Sequence, residues 1–100
     1  MVLEALLPHQ VMEAATRNGH KQVVKLLLDK GANVNAQGGR YGNALLAASI
    51  SGHEQVVKLL LDNDADVNTQ GEYYSNALRA ASVKGHEQVG WLVGWYSFYV

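Results

Sequence analysis

Histidine is the residue of this chain best suited to metal binding or proton transfer, and three of the four histidines recur at a fixed spacing. His20, His53 and His86 each follow a glycine, and the interval from the first to the second equals the interval from the second to the third. Neighbouring packed helices lie about 8–10 Å apart, whereas the ligands of one zinc ion lie about 2 Å from it. The spacing therefore predicts structural histidines that bind nearby backbone, with no metal or cofactor.

Two further patterns with chemical meaning are incomplete. His53-Glu54 and His86-Glu87 begin like the helix of a zinc protease, but no histidine follows three residues after either glutamate. The glycine-rich segment 38–42 lacks the Lys-Ser/Thr pair of a phosphate loop. We therefore expect no catalytic residues, and the chain is not expected to be an enzyme.

Composition narrows the class further. The chain carries 8 Lys and Arg against 9 Asp and Glu, with no basic block, so we do not expect a nucleic-acid binder. No apolar run approaches the roughly 20 residues of a membrane span, and the N-terminus lacks the basic start of a signal peptide. Cysteine is absent, which fits a reducing compartment. We expect the cytoplasm, with the nucleus as the alternative.

The three histidines belong to a longer internal repeat. Residues 20–52 align with residues 53–85 without a gap and are identical at two thirds of the aligned positions, so one unit has been copied in tandem. Each unit reads as helix, tight turn, helix and long turn. In the middle unit Asn43 is the expected N-cap of the first helix, and Gly52 can adopt the positive φ that ends it.

The second helix of each unit is apolar almost all round, which is typical of burial between neighbouring units. In the first unit Gly31 follows this helix, as is common at a helix C-terminus. Asp64 occupies the same place in the middle unit. Because aspartate adopts the left-handed region less readily than glycine, Asp64 is expected to be a mild local weakness.

This pattern resembles the ankyrin repeat. The resemblance rests on Gly19-His20 between the two helices, on residues 23–28 of the second helix, and on the turn at residues 31–35, each repeated one period later. It implies an all-α ankyrin-repeat solenoid of about three helix-turn-helix units, joined by β-hairpin-like turns in a single domain. The units span about residues 1–35, 36–68 and 69–100, and the last is atypical after residue 89.

The resemblance also implies a function, namely a protein-interaction module or scaffold. Such repeats bind another protein through hairpin tips and the concave face of the first helices. Several of these positions differ between units, since Arg40 becomes Tyr73 and Leu46 becomes Arg79. Arg and Tyr are frequent anchors of protein interfaces. The candidate binding residues are Gln37, Arg40, Tyr41, Gln70, Glu72, Tyr73, Tyr74 and Arg79.

A second interpretation follows from the opening of the first helices. Both Asn43 and Asn76 begin the sequence Asn-Ala-Leu-x-Ala-Ala-Ser, where the family usually has Thr-Pro-Leu-His. This variety is similar to repeats in long arrays attached to nucleotide-dependent signalling proteins. The alternative function is therefore a structural spacer or truncated fragment of a longer ankyrin array, with no partner of its own.

The two ends of the chain depart from the repeat. In the first unit Glu13 and Arg17 replace Leu46 and Ile50, which is typical of a polar capping unit. In the last unit, residues 90–100 contain five of the eight aromatic residues. Three interpretations of this tail stay open, namely a by-product of truncation, an interface that recruits a second copy or a partner, and membrane contact. Self-association would use Trp91, Trp95, Phe98 and Tyr99.

Overall fold

The computed structural model describes residues 11–37, 41–69 and 76–99, with side chains described through residue 96. These residues form helices and turns, and they contain no β-strand beyond a single bridge residue at Gly42. The helices are α1 (residues 11–17), α2 (Lys21–Asp29), α3 (Ala44–Ser51), α4 (Glu54–Asp62), α5 (Ala77–Val83) and α6 (Glu87–Tyr99). The all-α class predicted from the repeat is confirmed. The tips of both long turns lie outside the described residues.

The helices stack in two layers, because each unit packs its helices against the corresponding helices of its neighbours. The first helices α3 and α5 contact each other, and the second helices follow the order α2, α4, α6. Within a unit, α3 packs on α4 and α5 packs on α6. Among the described helices, the contacts between units therefore join neighbours along the chain, which is the arrangement of a solenoid.

Asparagine caps begin the first helices, as the sequence predicted. The side chain of Asn43 accepts a hydrogen bond from the backbone N–H of Leu46 at 2.8 Å, and Asn76 accepts one from Arg79 at 2.9 Å. Each cap satisfies a backbone donor that the helix itself leaves without a partner. Gly52 ends α3 with φ 76°, in the left-handed region that favours glycine.

The middle unit is buried on both sides. In α4 the apolar residues Val56, Val57, Leu60 and Leu61 are buried, while Lys58 and Asp62 remain exposed on the outer face. The prediction of a helix covered by two neighbours is confirmed, because α2 packs on one side of α4 and α6 on the other.

The first unit differs from the polar cap that the sequence predicted. Arg17 is exposed, as expected of a cap. However, Val23 and Leu26 of α2 are also exposed, at 41% and 56%, although they carry the same residue types as the covered positions of α4. The predicted capping therefore applies to Arg17 of α1 and does not extend to α2, whose apolar residues Val23 and Leu26 are exposed.

The long turn after each second helix joins adjacent units. The Asn35 side chain donates to the Asp64 carbonyl at 3.1 Å and accepts from the Asp66 N–H at 2.7 Å. Asp64 has φ 68°, and it occupies the place held in the first unit by Gly31. An aspartate in this region costs more free energy than glycine. The left-handed conformation expected at Asp64 is therefore present, and the weakness itself stays a prediction.

The last helix replaces a turn. α6 has 13 residues, whereas α2 and α4 have nine each. It continues without a break through Gly90 and Gly94. Its last four residues, 96–99, occupy positions that belong to the long turn in the middle unit. None of the described helices is both long enough and apolar enough to cross a membrane.

Candidate protein-binding surface

Two predicted binding residues flank the first hairpin tip. Gln37 is exposed and Tyr41 is half-buried. The side chains of these two residues therefore border the loop that the sequence predicted to contact a partner. The other predicted tip residues lie outside the described residues. They are Arg40, Gln70, Glu72, Tyr73 and Tyr74.

The face of the first helices is less accessible than the sequence indicated. In α3 every residue from Ala44 to Ser49 is buried, and Leu46 is only 1% exposed. The expectation of a continuous exposed face along these helices is therefore wrong in the middle unit. The physical reason is that α3 lies between two units and against α4, so its alanines allow close packing on more than one side.

Arg79 lies on the last of the first helices and is exposed. It occupies the position of Leu46, one period later. Its backbone N–H donates a hydrogen bond to the Asn76 side chain that caps α5. The exposure of Arg79 follows from its place in the last unit, because no further unit in the described part of the chain lies over α5.

The aromatic residues Trp91 and Trp95 of α6 form an exposed surface. Trp91 and Trp95 are 70% and 50% exposed. One period earlier the same positions hold Lys58 and Asp62, which lie on the outer face of α4. The two tryptophans therefore lie on the outer face of the last helix and not on its stacking face. Aligning them with α4 by the repeat period would have located them. The side chains of Phe98 and Tyr99 lie outside the described residues.

A contact between units fixes this aromatic surface. The Tyr96 hydroxyl donates a hydrogen bond to the carboxylate of Asp62 on α4. This hydrogen bond, together with desolvation and the negative charge of Asp62, raises the pKa of Tyr96 above its usual value of 10.0. The rings of Trp95 and Tyr96 meet edge to face, with their centroids 5.8 Å apart. The last helix is thereby connected to the middle unit through its outer side.

Comparison with known protein families agrees with the stacking geometry. The family model described as "Ankyrin repeats (3 copies)" matches residues 11–96. The chain belongs to the ankyrin-repeat family. No curated protein sequence matches it. Ankyrin repeats are generally protein-interaction modules and typically non-enzymatic, so the surfaces described above are candidates for binding another protein.

The repeated histidines hold the ankyrin units together. The Nε2 atom of His53 lies 2.8 Å from the Arg17 carbonyl oxygen, and that of His86 lies 3.0 Å from the Ile50 carbonyl oxygen. A carbonyl oxygen can only accept, so Nε2 is the donor in both hydrogen bonds. The prediction that these histidines bind backbone is confirmed, and the backbone belongs to the preceding ankyrin unit.

The described residues contain no arrangement that indicates metal or small-molecule chemistry. No group of three or more His, Asp or Glu side chains among them could hold a metal ion. A surface depression of about 340 Å³ is lined by Glu87, Gln88 and Trp91. It is open to solvent and has few walls, whereas small-molecule sites bury most of the ligand surface.

Proposed function

We propose that this chain is a non-catalytic binding module that recognises another protein through its hairpin tips and the adjacent residue of α5. The match to ankyrin repeats over residues 11–96 carries the proposal, because repeats of this family generally bind proteins. The proposed contact residues are those predicted from the sequence. They are Gln37, Arg40, Tyr41, Gln70, Glu72, Tyr73, Tyr74 and Arg79.

Burial supports this choice of surface. The first helix of the middle unit has no exposed residue from Ala44 to Ser49. A partner that approaches the first helices therefore finds the turns and α5, where Gln37 and Arg79 are exposed. Tyrosine supplies a large contact area with few rotatable bonds, and arginine supplies several hydrogen-bond donors. Both residues therefore often dominate the binding energy of an interface.

Co-purification from cell extract with quantitative mass spectrometry tests the proposal. The wild-type chain is compared with a tip variant that combines Arg40→Ala, Tyr73→Ala and Tyr74→Ala. Lys25→Ala is the matched control, because Lys25 is exposed on the outer face of α2 and pairs there with Asp29 at 3.4 Å. Proteins enriched by the wild type and by the control are expected to be lost with the tip variant.

A direct binding measurement then gives the magnitude. Truncating an anchor residue costs about 1–2 kcal/mol or more, so each of Arg79→Ala and Tyr73→Ala is expected to weaken binding of a captured protein about tenfold. Circular dichroism must show that each variant keeps its helical content. Identical captured sets for the wild type and the tip variant would contradict the proposed surface.

One observation favours the second candidate function, a structural segment of a longer ankyrin array. Apolar residues are exposed at both ends of the stack, with Val23 and Leu26 at one end and Leu78 and Val83 at the other. In an array such residues would be covered by further units. This reading predicts that the wild type and the tip variant capture the same proteins, so the same experiment separates the two functions.

Self-association through Trp91, Trp95, Phe98 and Tyr99 remains a prediction. It is supported by the exposure of both tryptophans on one side of α6. The double variant Trp91→Lys/Trp95→Asp installs the residues that the middle unit has at these positions. If the aromatic surface joins two copies, the variant is monomeric in sedimentation under conditions where the wild type associates.

The compartment is also a proposal. We propose the cytoplasm or the nucleus, because the chain contains no cysteine and no group that would need an oxidising environment. Fluorescence microscopy of the tagged chain tests this proposal, and accumulation in the secretory pathway would contradict it.

A further inference from the structure

The two ends of the stack expose positions that are covered in the middle unit. We define the C-terminal end face as Leu78, Arg79, Ser82 and Val83, and the N-terminal end face as Val11, Ala14, Val23 and Leu26. All eight residues are exposed. Their counterparts in the middle unit are buried or half-buried. Each end face therefore corresponds in position to one side of an interface that already exists inside the molecule, with Arg79 in place of Leu46 and Val11 in place of Ala44.

Each described inter-unit interface also contains a hydrogen bond from a histidine to a backbone carbonyl of the preceding unit. His53 donates to Arg17 and His86 donates to Ile50, with donor and acceptor 36 residues apart in both cases. By the repeat period, His20 is the equivalent donor at the N-terminal end of the stack. The Val83 carbonyl is the equivalent acceptor at the C-terminal end. Among the described residues, neither group has a hydrogen-bond partner for this interaction.

The surface of the glycine turns shows where the next histidine ring would lie. An ideal Cβ atom built on Gly19 would lie 2.7 Å from the ring of His53, and one built on Gly52 would lie 2.6 Å from the ring of His86. The ring of each histidine therefore packs directly on the glycine of the preceding unit. A Cβ atom on Gly85 would meet no atom within 4 Å, so the equivalent surface at the C-terminal end is open.

We propose that a second copy of this chain stacks on the C-terminal end face with its own N-terminal end face. In this interface His20 of one copy lies over Gly85 of the other and donates from Nε2 to the Val83 carbonyl oxygen. Val23 and Leu26 of the first copy cover the apolar residues Leu78 and Val83 of the second. The occupant is identified by register, because the interface continues the internal stacking of the same repeated unit.

The internal interface between the second and third units is the pattern for this contact. There the histidine hydrogen bond is present at 3.0 Å. The bridge made by Asn35 between the first two turns has no counterpart at Asn68 among the described residues, because α6 replaces the third turn. Because the proposed contact joins two different faces, it leaves one unused face on each outer copy, and further copies can add in a row.

Sedimentation velocity over a wide range of protein concentrations tests this proposal with the wild type, two variants and a mixture of the variants. Val83→Lys blocks the C-terminal end face and Leu26→Glu blocks the N-terminal end face, and both residues are exposed in the single chain, at 59% and 56%. The wild type is expected to associate with rising concentration, whereas each variant stays monomeric. An equimolar mixture of the two variants is expected to form a dimer and nothing larger, because one intact pair of faces remains.

A milder variant addresses the histidine directly. His20→Ala removes one hydrogen bond and is expected to raise the dissociation constant about fivefold, while the helical content of the single chain is unchanged. Lys25→Ala, on the outer face of α2, serves as the control and is expected to have no effect.

Three results would overturn the proposal. They are a wild-type chain that is monomeric at all concentrations, variants that associate as the wild type does, and a mixture that forms no dimer. Association that survives Val83→Lys and Leu26→Glu but is lost in Trp91→Lys/Trp95→Asp would assign self-association to the aromatic surface instead. Neither end-face variant alters a hairpin tip, but the C-terminal end face shares Arg79 with the proposed partner surface, so the effect of Val83→Lys on partner binding is measured beside its effect on association.

Discussion

The contact between Gly52 and His86 predicts a large difference between two substitutions that look alike. Gly52 and Gly85 have nearly the same backbone conformation, with φ 76° and 75°. A Cβ atom on Gly52 would lie 2.6 Å from Nδ1 of His86, a separation that real Cβ atoms essentially never show. The His86 ring cannot simply move away, because its Nε2 atom is held by the Ile50 carbonyl. A Cβ atom on Gly85 meets nothing.

The magnitude follows from adding the separate effects. Alanine in the left-handed region costs about 1–2 kcal/mol, and this cost applies equally to Gly52→Ala and Gly85→Ala. Gly52→Ala additionally displaces the ring, which loses about 1 kcal/mol for the hydrogen bond and about 1–3 kcal/mol for overpacking. Gly52→Ala is therefore expected to reduce the free energy of unfolding by about 2–4 kcal/mol more than Gly85→Ala.

Urea unfolding followed by circular dichroism measures this difference. Small domains have total stabilities of about 5–15 kcal/mol, so Gly52→Ala can leave too little folded protein for a reliable curve. A double variant, Gly52→Ala/His86→Ala, keeps the test readable. Removing the ring relieves the clash, so the double variant is expected to be more stable than Gly52→Ala alone. Equal losses for Gly52→Ala and Gly85→Ala, or a double variant less stable than Gly52→Ala, would refute the reasoning.

Three further substitutions test other features of the stack. Asp64→Gly is expected to raise the free energy of unfolding in urea by about 0.5–1 kcal/mol, because Asp64 has φ 68°; no gain would show that the aspartate is not strained. Since the Asp62 hydrogen bond raises the pKa of Tyr96, the folded state holds the Tyr96 proton more tightly. This contribution to stability is complete below about pH 10 and is lost as the pH rises through the raised pKa. Urea curves on both sides of that pH should show the loss in the wild type and not in Tyr96→Phe. Ser49→Ala is expected to be neutral or to raise the melting temperature, because the buried Ser49 hydroxyl has no hydrogen-bond partner; a clear loss would indicate that the hydroxyl is satisfied.

Local rules predicted the ends of the helices well. Asn43 and Asn76 cap their helices, and Gly52 adopts a positive φ, because these outcomes depend on short-range chemistry within one turn of backbone. The repeat period also predicted which positions are equivalent in successive units. Equivalent positions are readily predicted in a repeat protein, because the same residue pattern occurs in each unit.

The exposure of the first helices could not be predicted in the same way. Leu46 and Arg79 are equivalent in the repeat, yet Leu46 is buried and Arg79 is exposed. Val56 and Val23 are the same residue type at equivalent positions, with 1% and 41% exposure. In both pairs the difference arises from the neighbouring unit, which covers one member and not the other. Exposure in a stack depends on position along it, and residue type alone does not contain that information.

The histidines show a related limit. Their spacing predicted structural histidines bound to backbone, but the acceptors of His53 and His86 lie 36 residues earlier, in the preceding unit. A single unit therefore cannot satisfy its own histidine. The pairing becomes evident only when two units are placed side by side, because the distance along the chain to the acceptor is slightly longer than the repeat period.

This dependence on neighbours connects stability with recognition in this chain. The same side chains that stabilise the middle unit by burial are exposed at the ends, where Leu78 corresponds to the buried Leu45. Replacing a buried leucine by alanine costs about 2–5 kcal/mol, whereas the same change at a half-exposed position costs far less. Substitutions in the middle of the stack are therefore expected to destabilise the fold more than the same substitutions at its ends. The exposed ends and turns are the surfaces proposed above for a partner and for a second copy of the chain.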